Sequence, residues 1–381
     1  MKKHIYIIAG EKSGDVIGAD IIASLRALDA TLTISGVGGE AMTENGLNSL
    51  FVYTDVAVMG VSDVLKGYCR IKKRISDTVN DIKIKQPDVV VTIDAQGFSK
   101  RVASGIKDFE IKKIHVVAPT VWAWRAGRVH TYKKIFDSLL CLFPFEPKYF
   151  KAVGMPAHFV GHPCVDKPQG DGGAFCKRHK INKNANIIGF MAGSRKGEVA
   201  SVLDTYIEAC KVLADEGRDI HIVAPVVASV EHTIKNALIA SNLKHTIVGQ
   251  NEKNDAFSAC DVALATSGTV TLELAVAVIP MVVGYKTSWL TYNVLRHFIN
   301  IKYFSLPNIL IKNQEVVPEF LQGDCNVKNL SNALINVINK DGVQQKKEFH
   351  DLNAQLQAPN YHGKKMTMGE SSAIKILELI S

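Results

Sequence analysis

Apolar residues in the first half of the chain occur in short continuous runs instead of strict alternation. Runs such as His4–Ala9 and Val89–Ile93 have the length of strands, and the missing alternation is typical of strands buried on both faces of a parallel sheet. Helical apolar spacing predicts a helix at Ile17–Leu28, and a long basic helix is predicted at Val64–Lys85. The other strands predicted in this half are Thr33–Val37, Leu50–Tyr53, Lys113–Val117 and Ser138–Leu142.

The strand and helix pattern stops at a Gly- and Pro-rich stretch, residues 161–173, and then restarts. We therefore predict an α/β protein of two parallel-sheet halves, residues 1–165 and 166–365, with ligands in a cleft at the strand carboxyl ends. The predicted strands of the second half are Asn186–Met191, Asp219–Pro225, His245–Val248, Asp261–Ala265 and Pro280–Val283, with helices at Glu198–Asp215 and through Ala240.

The net charge of the chain limits the class of binding partner but does not identify a single one. The chain has 381 residues, 45 Lys plus Arg against 37 Asp plus Glu, and a net charge of +8, which suits a phosphate-bearing nucleotide, a nucleic acid or an anionic lipid. Its 7 cysteines include no CxxC pair, so neither a disulfide framework nor a metal site is encoded. The longest apolar run, Leu274–Val283, is too short to span a bilayer, so we expect a cytoplasmic protein.

The clearest phosphate signal follows the strand Asp261–Ala265. Ser267, Gly268 and Thr269 form a strand-to-helix turn whose free N–H groups could bind a diphosphate at the positive end of the helix dipole. Simple N-capping by Ser267 or Thr269 is the alternative. Glu273, one turn further, could accept bonds from ribose hydroxyls or merely complement the dipole.

Two further strand ends carry charged residues. Asp94 follows Val89–Ile93 and could take a proton from a hydroxyl nucleophile, although capping the next helix is its commoner role. His115, inside a strand, is a weaker base candidate. Arg195 lies just beyond Asn186–Met191, where it could pair with a diphosphate or sit exposed in a polar turn.

Two loops of the first half suit a ligand. The loop after the first strand, residues 9–15, lacks both the Walker A and the dinucleotide spacing, but Gly10 and Gly14 allow close backbone approach to a ligand. Trp124 and Arg125 suit a sugar or acyl chain next to a phosphate, or else belong to an aromatic plug.

The segment Val58–Arg74 combines apolar residues with a run of Lys and Arg. Such a segment could lie on an anionic membrane, although a solvated helix face with apolar residues in the core is the usual outcome.

The ordered motifs resemble the lipid-A-disaccharide synthase family along nearly the whole chain. The motifs are AGEKSGD at 9–15, GVGGEAM at 36–42, VMG at 58–60, ID at 93–94, VWAWR at 121–125, PFE at 144–146, FVGHP at 159–163, GSRKGE at 193–198, SGT at 267–269 with Glu273, PMVVGY at 280–285, SLPN at 305–308 and EFLQ at 319–322. The resemblance implies a GT-B fold of two Rossmann-like domains facing across a cleft. We expect the C-terminal helix, 366–381, to pack back on an N-terminal domain.

The resemblance also implies the reaction and its residues. UDP-2,3-diacylglucosamine would be the donor and 2,3-diacylglucosamine 1-phosphate the acceptor, joined by a β-1,6 linkage with inversion and release of UDP, without a metal or other cofactor. Asp94, Arg195 and Asn308 fall on the essential family residues. The predicted substrate-binding residues are Gly10, Ser13, Gly14, Asp15, Met59, Trp124, Arg125, Ser267, Gly268, Thr269 and Glu273. The family's usual Pro-Asp-Phe-Asn run after the ID motif is replaced here by Ala95-Gln96-Gly97-Phe98-Ser99.

Acylated substrates imply peripheral association with the anionic inner face of the cytoplasmic membrane, with no nucleic acid partner and with a homodimer left open. Two alternatives remain at this point: a UDP-sugar 2-epimerase of the same fold, and a non-catalytic basic membrane-binding module. Neither alternative requires an acceptor hydroxyl, so acceptor-dependent release of UDP separates them from a transferase.

Overall fold

The computed structural model describes residues 2–56, 61–287, 302–311 and 314–380, and for residues 61–68 the backbone alone. The chain divides into two compact units, unit 1 (Met1–Asp166 with Leu356–Ser381) and unit 2 (Lys167–Gln355). The sequence-based boundaries were placed at 165/166 and 365/366, so the chain returns to unit 1 ten residues earlier than expected.

Unit 1 is built on a parallel sheet of seven described strands in the order β3-β2-β1-β4-β5-β6-β7. Alternate residues of the first strand face opposite sides, since Ile5 and Ile7 pack in one buried cluster and Tyr6 and Ile8 in another. Both faces of the sheet are therefore covered, as the continuous apolar runs predict. The strands are β1 (His4–Ala9), β2 (Thr33–Gly38), β3 (Ser49–Val52), β4 (Val89–Ile93), β5 (Lys112–Val116), β6 (Ser138–Cys141) and β7 (Ala157–Phe159).

Helices follow the strands of unit 1, as expected of βα units. They are α1 (Lys12–Leu28), α2 (Glu40–Glu44), α3 (Val61–Lys85), α4 (Gln96–Gly105), α5 (Arg128–Ile135) and α6 (Pro147–Lys151), with short 3-10 turns at Tyr53–Asp55 and Pro163–Asp166.

The C-terminal helix belongs to unit 1. The chain re-enters at Leu356, whose carbonyl oxygen accepts a hydrogen bond of 3.0 Å from His162 N. The final helix, Met368–Leu379, then buries Met368, Ala373 and Ile376 in the same cluster as Ile21 of α1. In this structure the final helix therefore packs against α1 of unit 1.

Unit 2 repeats the plan with a parallel sheet of six described strands, ordered β10-β9-β8-β11-β12-β13. The strands are β8 (Asn186–Met191), β9 (Ile220–Pro225), β10 (His245–Val248), β11 (Val262–Thr266), β12 (Met281–Tyr285) and β13 (Glu319–Leu321). The helices are α7 (Gly172–Arg178), α8 (Lys196–Asp215), α9 (Ala228–Ser241), α10 (Lys253–Ser258), α11 (Thr269–Val276), α12 (Leu306–Leu310), α13 (Val327–Asn339) and α14 (Val343–Leu356), with 3-10 turns at Gln250–Glu252 and Gln322–Asp324.

Candidate active site

Asp94 is held rigidly at the carboxyl end of β4. Its backbone N–H donates to Val116 O at 3.0 Å, and its carbonyl oxygen accepts from Ser99 Oγ at 2.7 Å. Asp94 and Ala95 have φ angles of 46° and 42°, two successive left-handed residues without glycine. Such strain persists where surrounding contacts over-determine the backbone, and it is concentrated at functional sites.

The Asp94 carboxylate does not cap the helix that follows. Ala95 occupies the N-cap position of α4, and no side chain caps this helix. Burial raises the pKa of Asp94, while the Ala95 N–H lowers it in part. Burial and then the charge of Asp94 also raise the pKa of Glu11, at the end of β1. A carboxylate with a raised pKa at a strand end is suited to general base chemistry.

In the loop after β1, Asp15, Gly10 and Gly14 have close contacts within the protein itself. The Asp15 carboxylate is buried and accepts hydrogen bonds from Gly39 N at 2.6 Å, Ala41 N at 3.1 Å and Met42 N at 3.2 Å. It therefore fixes the start of α2. A Cβ on Gly10 would lie 2.8 Å from Ala95 Cβ, and one on Gly14 would lie 3.3 Å from Ile93 O.

These contacts show that the two glycines serve packing of the loop and α1 against β4 and α4, because a side chain would collide there. Ser13 remains exposed in the first turn of α1.

The two tryptophans of the VWAWR motif have different surroundings. Trp122 Nε1 donates to Glu146 Oε1 at 3.4 Å, and its ring lies 5.5 Å from that of Phe145. Burial raises the pKa of Glu146 to about 7. Trp124 instead carries two guanidinium groups over its ring, Arg125 at 4.4 Å and Arg128 at 5.5 Å. Trp122 thus packs inside unit 1, whereas Trp124 has two cations over its ring.

His115 is a core residue. It is fully buried, its Nδ1 lies 2.7 Å from Thr92 Oγ1, and burial lowers its pKa to about 3. A ring that stays neutral and inaccessible is a poor acceptor for a substrate proton.

Unit 2 contains a pocket of about 470 Å³ at the carboxyl ends of β8 and β11. Five of the predicted residues line it together, namely Arg195, Ser267, Gly268, Thr269 and Glu273. The volume is within the range of small-molecule sites.

The start of α11 supplies donors to this pocket. Gly268 is the N-cap, and no side chain caps this helix, so the N-capping alternative for Ser267 and Thr269 is wrong. Ser267 Oγ donates away from the helix to Phe304 O at 2.7 Å. In the first turn of α11 the Thr271 N–H donates to Gly268 O at 3.2 Å, and the start of the helix presents the positive end of its dipole to the pocket.

Arg195 is placed at the mouth of the same pocket. Its guanidinium side chain is 83% exposed, and its Nη1 donates to Glu198 Oε1 at 2.9 Å. An exposed pair of this kind contributes little to stability, so it can exchange for a bound anion at small cost.

Glu273 is paired with cations. Lys253 Nζ lies 2.8 Å from each of its carboxylate oxygens, and Lys167 Nζ lies 3.5 Å from Oε1. Each oxygen keeps a second acceptor site, so the carboxylate can still accept a hydroxyl proton from a ligand. Lys253 itself lines the pocket.

The Asn308 side chain does not line the pocket of unit 2, and it is bonded within the protein. It is fully buried, its Oδ1 accepts from Val316 N and Val317 N at 2.8 Å each, and its Nδ2 donates to Val317 O at 2.8 Å and to Glu319 Oε1. All four hydrogen-bonding positions of the amide are occupied. In this structure the amide of Asn308 therefore holds the surrounding backbone.

Glu319, which the sequence reasoning left without a role, is the centre of this network. Its carboxylate accepts from Phe304 N at 2.7 Å, from Ser305 N at 3.1 Å and from Ser305 Oγ at 2.6 Å, besides Asn308. Phe304 O in turn holds Ser267. Glu319 and Asn308 thus fix the backbone that orients the α11 turn. The EFLQ motif was the available signal for Glu319, whereas nothing in the sequence pattern marked Lys253.

The predicted membrane segment is only partly described. Val58 and Met59 lie outside the described residues. Further along α3, Arg70, Lys72 and Lys73 are exposed, whereas Arg74 pairs with Asp55 at 2.6 Å. Among the described residues, no helix has the length and apolar character needed to cross a membrane, and no cluster of potential metal ligands occurs.

The chain is similar to known proteins along nearly its whole length. Residues 5–370 match the family model described as Lipid-A-disaccharide synthetase. The chain is 37% identical over 387 residues to the lipid-A-disaccharide synthase of Granulibacter bethesdensis, covering 99% of this chain and 98% of that protein. It is 40% identical over 347 residues to the synthase of Rhodospirillum centenum, covering 90% and 86%.

Two solved structures have a similar fold. UDP-GlcNAc 2-epimerase from Neisseria meningitidis, bound to UDP-GlcNAc, has a TM-score of 0.64 at 12% identity, with 100% of both chains covered. MurG of Acinetobacter baumannii has a TM-score of 0.56 at 11% identity, covering 93% of this chain and 99% of that one. At such low identity the likeness shows the fold alone, which is the predicted GT-B class with two parallel-sheet units.

Proposed function

The chain belongs to the lipid-A-disaccharide synthase family of glycosyltransferases, and on that premise we propose how its two units divide the reaction. Unit 2 binds UDP-2,3-diacylglucosamine, and unit 1 activates the 6-hydroxyl of 2,3-diacylglucosamine 1-phosphate. The products are the β-1,6-linked disaccharide 1-phosphate and UDP. Family membership decides against the 2-epimerase and the non-catalytic module, since the epimerase structures share only the fold.

The observation that carries the donor assignment is the uncapped start of α11 in a pocket with Arg195 and Lys253. A diphosphate placed there would accept hydrogen bonds from N–H groups of the first turn. It would also lie near two cations, Arg195 and Lys253. These donors lie where the charge of the leaving UDP develops, and such preorganised groups stabilise a transition state strongly. In this proposal, groups of the protein alone stabilise the negative charge of the leaving UDP, and no metal ion takes part.

Glu273 is the proposed ribose ligand. Its carboxylate lies one helical turn after the diphosphate turn and is held in place by Lys253. The two ribose hydroxyls would donate to its remaining acceptor sites, which fixes the nucleoside relative to the diphosphate.

Asp94 is the proposed general base. It takes the proton of the acceptor 6-hydroxyl as that oxygen forms a bond to the anomeric carbon of the donor. The bond from the anomeric carbon to the diphosphate oxygen breaks in the same displacement, and its electron pair leaves with UDP. Attack from the face opposite UDP inverts the anomeric configuration. The raised pKa of Asp94 makes it a stronger base than an exposed aspartate.

Asn308 and Glu319 are proposed positioning residues. Neither side chain needs to contact substrate, because Glu319 holds Phe304, and the carbonyl oxygen of Phe304 orients Ser267. Loss of either would displace the diphosphate turn, and misplacements of about 1 Å are costly to a reaction that depends on orientation.

Both substrates carry acyl chains, so we propose that the protein docks peripherally on the inner face of the cytoplasmic membrane. The exposed Arg70, Lys72 and Lys73 of α3 supply the charge for anionic headgroups. Arg74 is excluded from this role, because it is held by Asp55 and Asp77 and lies over the Phe51 ring.

Release of UDP by the purified protein tests the proposal. The assay contains UDP-2,3-diacylglucosamine, neutral detergent and EDTA, with or without 2,3-diacylglucosamine 1-phosphate. Release that depends on the acceptor and is unaffected by EDTA is the expected result. Release without acceptor would indicate hydrolysis or an epimerase-like elimination, and loss of activity in EDTA would contradict the metal-free donor site.

A further inference from the structure

Unit 1 has a group of cations near Asp94 that the mechanism above does not use. We name Lys100, Arg125 and Arg128 the cation cluster. Arg125 and Arg128 both lie over the Trp124 ring, at 4.4 and 5.5 Å. Lys100, on α4, is half-buried, and after burial the positive charges of Arg128 and Arg101 lower its pKa. Cations from α4, the VWAWR loop and α5 therefore converge.

These cations lack the partners that other arginines of the chain have. Arg74 and Arg178 each contact two carboxylates, and Arg195 pairs with Glu198. Within the described ranges, by contrast, no carboxylate lies within ion-pair distance of any member of the cation cluster. Like charges that repel one another without a counter-charge are unfavourable in the free protein and are relieved by an anionic ligand.

Two guanidinium groups beside one indole ring suit a phosphate. A guanidinium group can interact with an aromatic ring and still offer an N–H edge to an anion. Such an edge binds two oxygens of a phosphate at once, which a lone ammonium group does not.

The cation cluster is connected to the proposed base through packed helices. α4 begins two residues after Asp94 and carries Lys100, and it contacts α5, which carries Arg128. The Tyr132 hydroxyl, one turn after Arg128, is buried and has no hydrogen-bond partner in the described part of the chain. Lys100 and Arg128 therefore lie on helices next to the strand end of Asp94.

We propose that the cation cluster binds the anomeric phosphate of the acceptor and so selects the phosphorylated sugar. This inference rests on the proposed function and adds the residues that distinguish the two substrates. The phosphate is on C1 and the reacting hydroxyl on C6, at opposite ends of the pyranose ring. Holding the phosphate at Arg125 and Arg128 would leave the 6-hydroxyl free to reach Asp94.

The test compares two acceptors that differ only in the phosphate. We expect the wild type to have a higher kcat/KM for 2,3-diacylglucosamine 1-phosphate than for 2,3-diacylglucosamine, in neutral detergent without anionic lipid. In Arg128→Met this ratio falls by about tenfold to hundredfold, mostly through the acceptor KM, as expected for one charge-assisted contact. Lys107→Met removes an exposed cation after the end of α4 and keeps the wild-type ratio.

Binding of short soluble probes separates failure of this inference from failure of the proposed function. Wild type is expected to bind glucosamine 1-phosphate more tightly than glucosamine, and Arg128→Met to lose the difference, whether or not transfer occurs. An unchanged kcat/KM ratio and unchanged probe binding in Arg128→Met would overturn the proposal. If Arg128→Met instead lost only its sedimentation with phosphatidylglycerol vesicles, the cation cluster would serve a lipid headgroup, and the acceptor assignment would be wrong.

Discussion

The two units place opposite electrostatics at equivalent positions of similar sheets. At the strand ends of unit 1, Glu11 and Asp94 are carboxylates whose pKa values are raised, so the region is suited to accept a proton. At the strand ends of unit 2, Glu198 and Glu273 are each paired with a cation, and the uncapped start of α11 faces a pocket. Parallel α/β topology thus determines where a site forms, and the side chains at the strand ends determine its chemistry.

The turns of small residues, 9–15 in unit 1 and 267–269 in unit 2, also differ in what their hydrogen-bonding groups contact. In unit 1 the glycines of residues 9–15 bring the loop and α1 against β4 and α4, and Asp15 binds the backbone at the start of α2. In unit 2 the Ser267 hydroxyl bonds away from the helix, which leaves the α11 donors for a ligand. A Gly- and Ser-rich turn is therefore a ligand site only where its own chain does not satisfy it.

The largest expected effect is that of Asp94→Asn on turnover. Removing the base should lower kcat by about 10²–10⁴-fold. Because the pKa of Asp94 is raised, the rate of the wild type should also fall on acidification at a higher pH than for an ordinary aspartate. Steady-state kinetics across pH measure both, with the exposed Asp108→Asn as a matched control. Near-normal turnover of Asp94→Asn would mean that Asp94 is not the general base and that unit 1 does not provide proton transfer.

Asn308→Ala should lower the stability of unit 2 and weaken its binding of the UDP-sugar. The substitution leaves buried partners of the amide without hydrogen bonds, which we expect to cost about 3 kcal/mol of unfolding free energy and to raise the KM for the UDP-sugar. Chemical denaturation and kinetics of the variant provide the measurement, with the exposed Asn251→Ala as control. A stable Asn308→Ala protein with wild-type KM but lost kcat would instead favour direct participation.

Charge reversal on α3 should affect membrane binding alone. Each basic residue near an anionic surface contributes about 1 kcal/mol, so changing Arg70, Lys72 and Lys73 to Glu should weaken vesicle sedimentation at least about hundredfold. Turnover in detergent should be retained, because these exposed residues lie outside the proposed site. Sedimentation equal to wild type would place the membrane contact elsewhere.

The smallest expected effect is the pH dependence due to Glu146 in unit 1. Its pKa is about 7 in the folded protein, above the ordinary value of 4.5. Its contribution to stability is therefore complete below about pH 4.5 and is lost as the pH rises through about 7. Between pH 8 and pH 6, the melting temperature of the wild type should rise by several degrees more than that of Glu146→Gln. Parallel pH profiles of the two proteins would show that another group is responsible.

The local pattern of apolar residues predicts most of the strands, but it does not predict several side-chain contacts. The continuous run Val89–Ile93 is a strand with the predicted bounds, and α11 begins at Thr269, in the predicted strand-to-helix turn. The short strands Ala157–Phe159 and Glu319–Leu321 were missed, because three residues carry too little periodicity.

Several candidate site residues have hydrogen-bond or ion-pair partners that the local sequence pattern does not reveal. Asp15 bonds to Gly39, 24 residues away, and the amide of Asn308 is satisfied from 8 to 11 residues further along the chain. Lys253 and Glu273 are 20 residues apart and meet only in the folded unit. Asp94 and the Ser267 turn were predictable, because a strand end positions them through the local chain alone.

The most direct test of the division between the units is UDP binding, measured by calorimetry on two variants. We expect Asp94→Asn to bind UDP with the wild-type Kd, and Lys253→Met to weaken it about tenfold by removing one charge-assisted contact. If Asp94→Asn weakened UDP binding as much as Lys253→Met does, Asp94 would belong to the donor site, and the assignment of proton transfer to unit 1 and donor binding to unit 2 would be wrong.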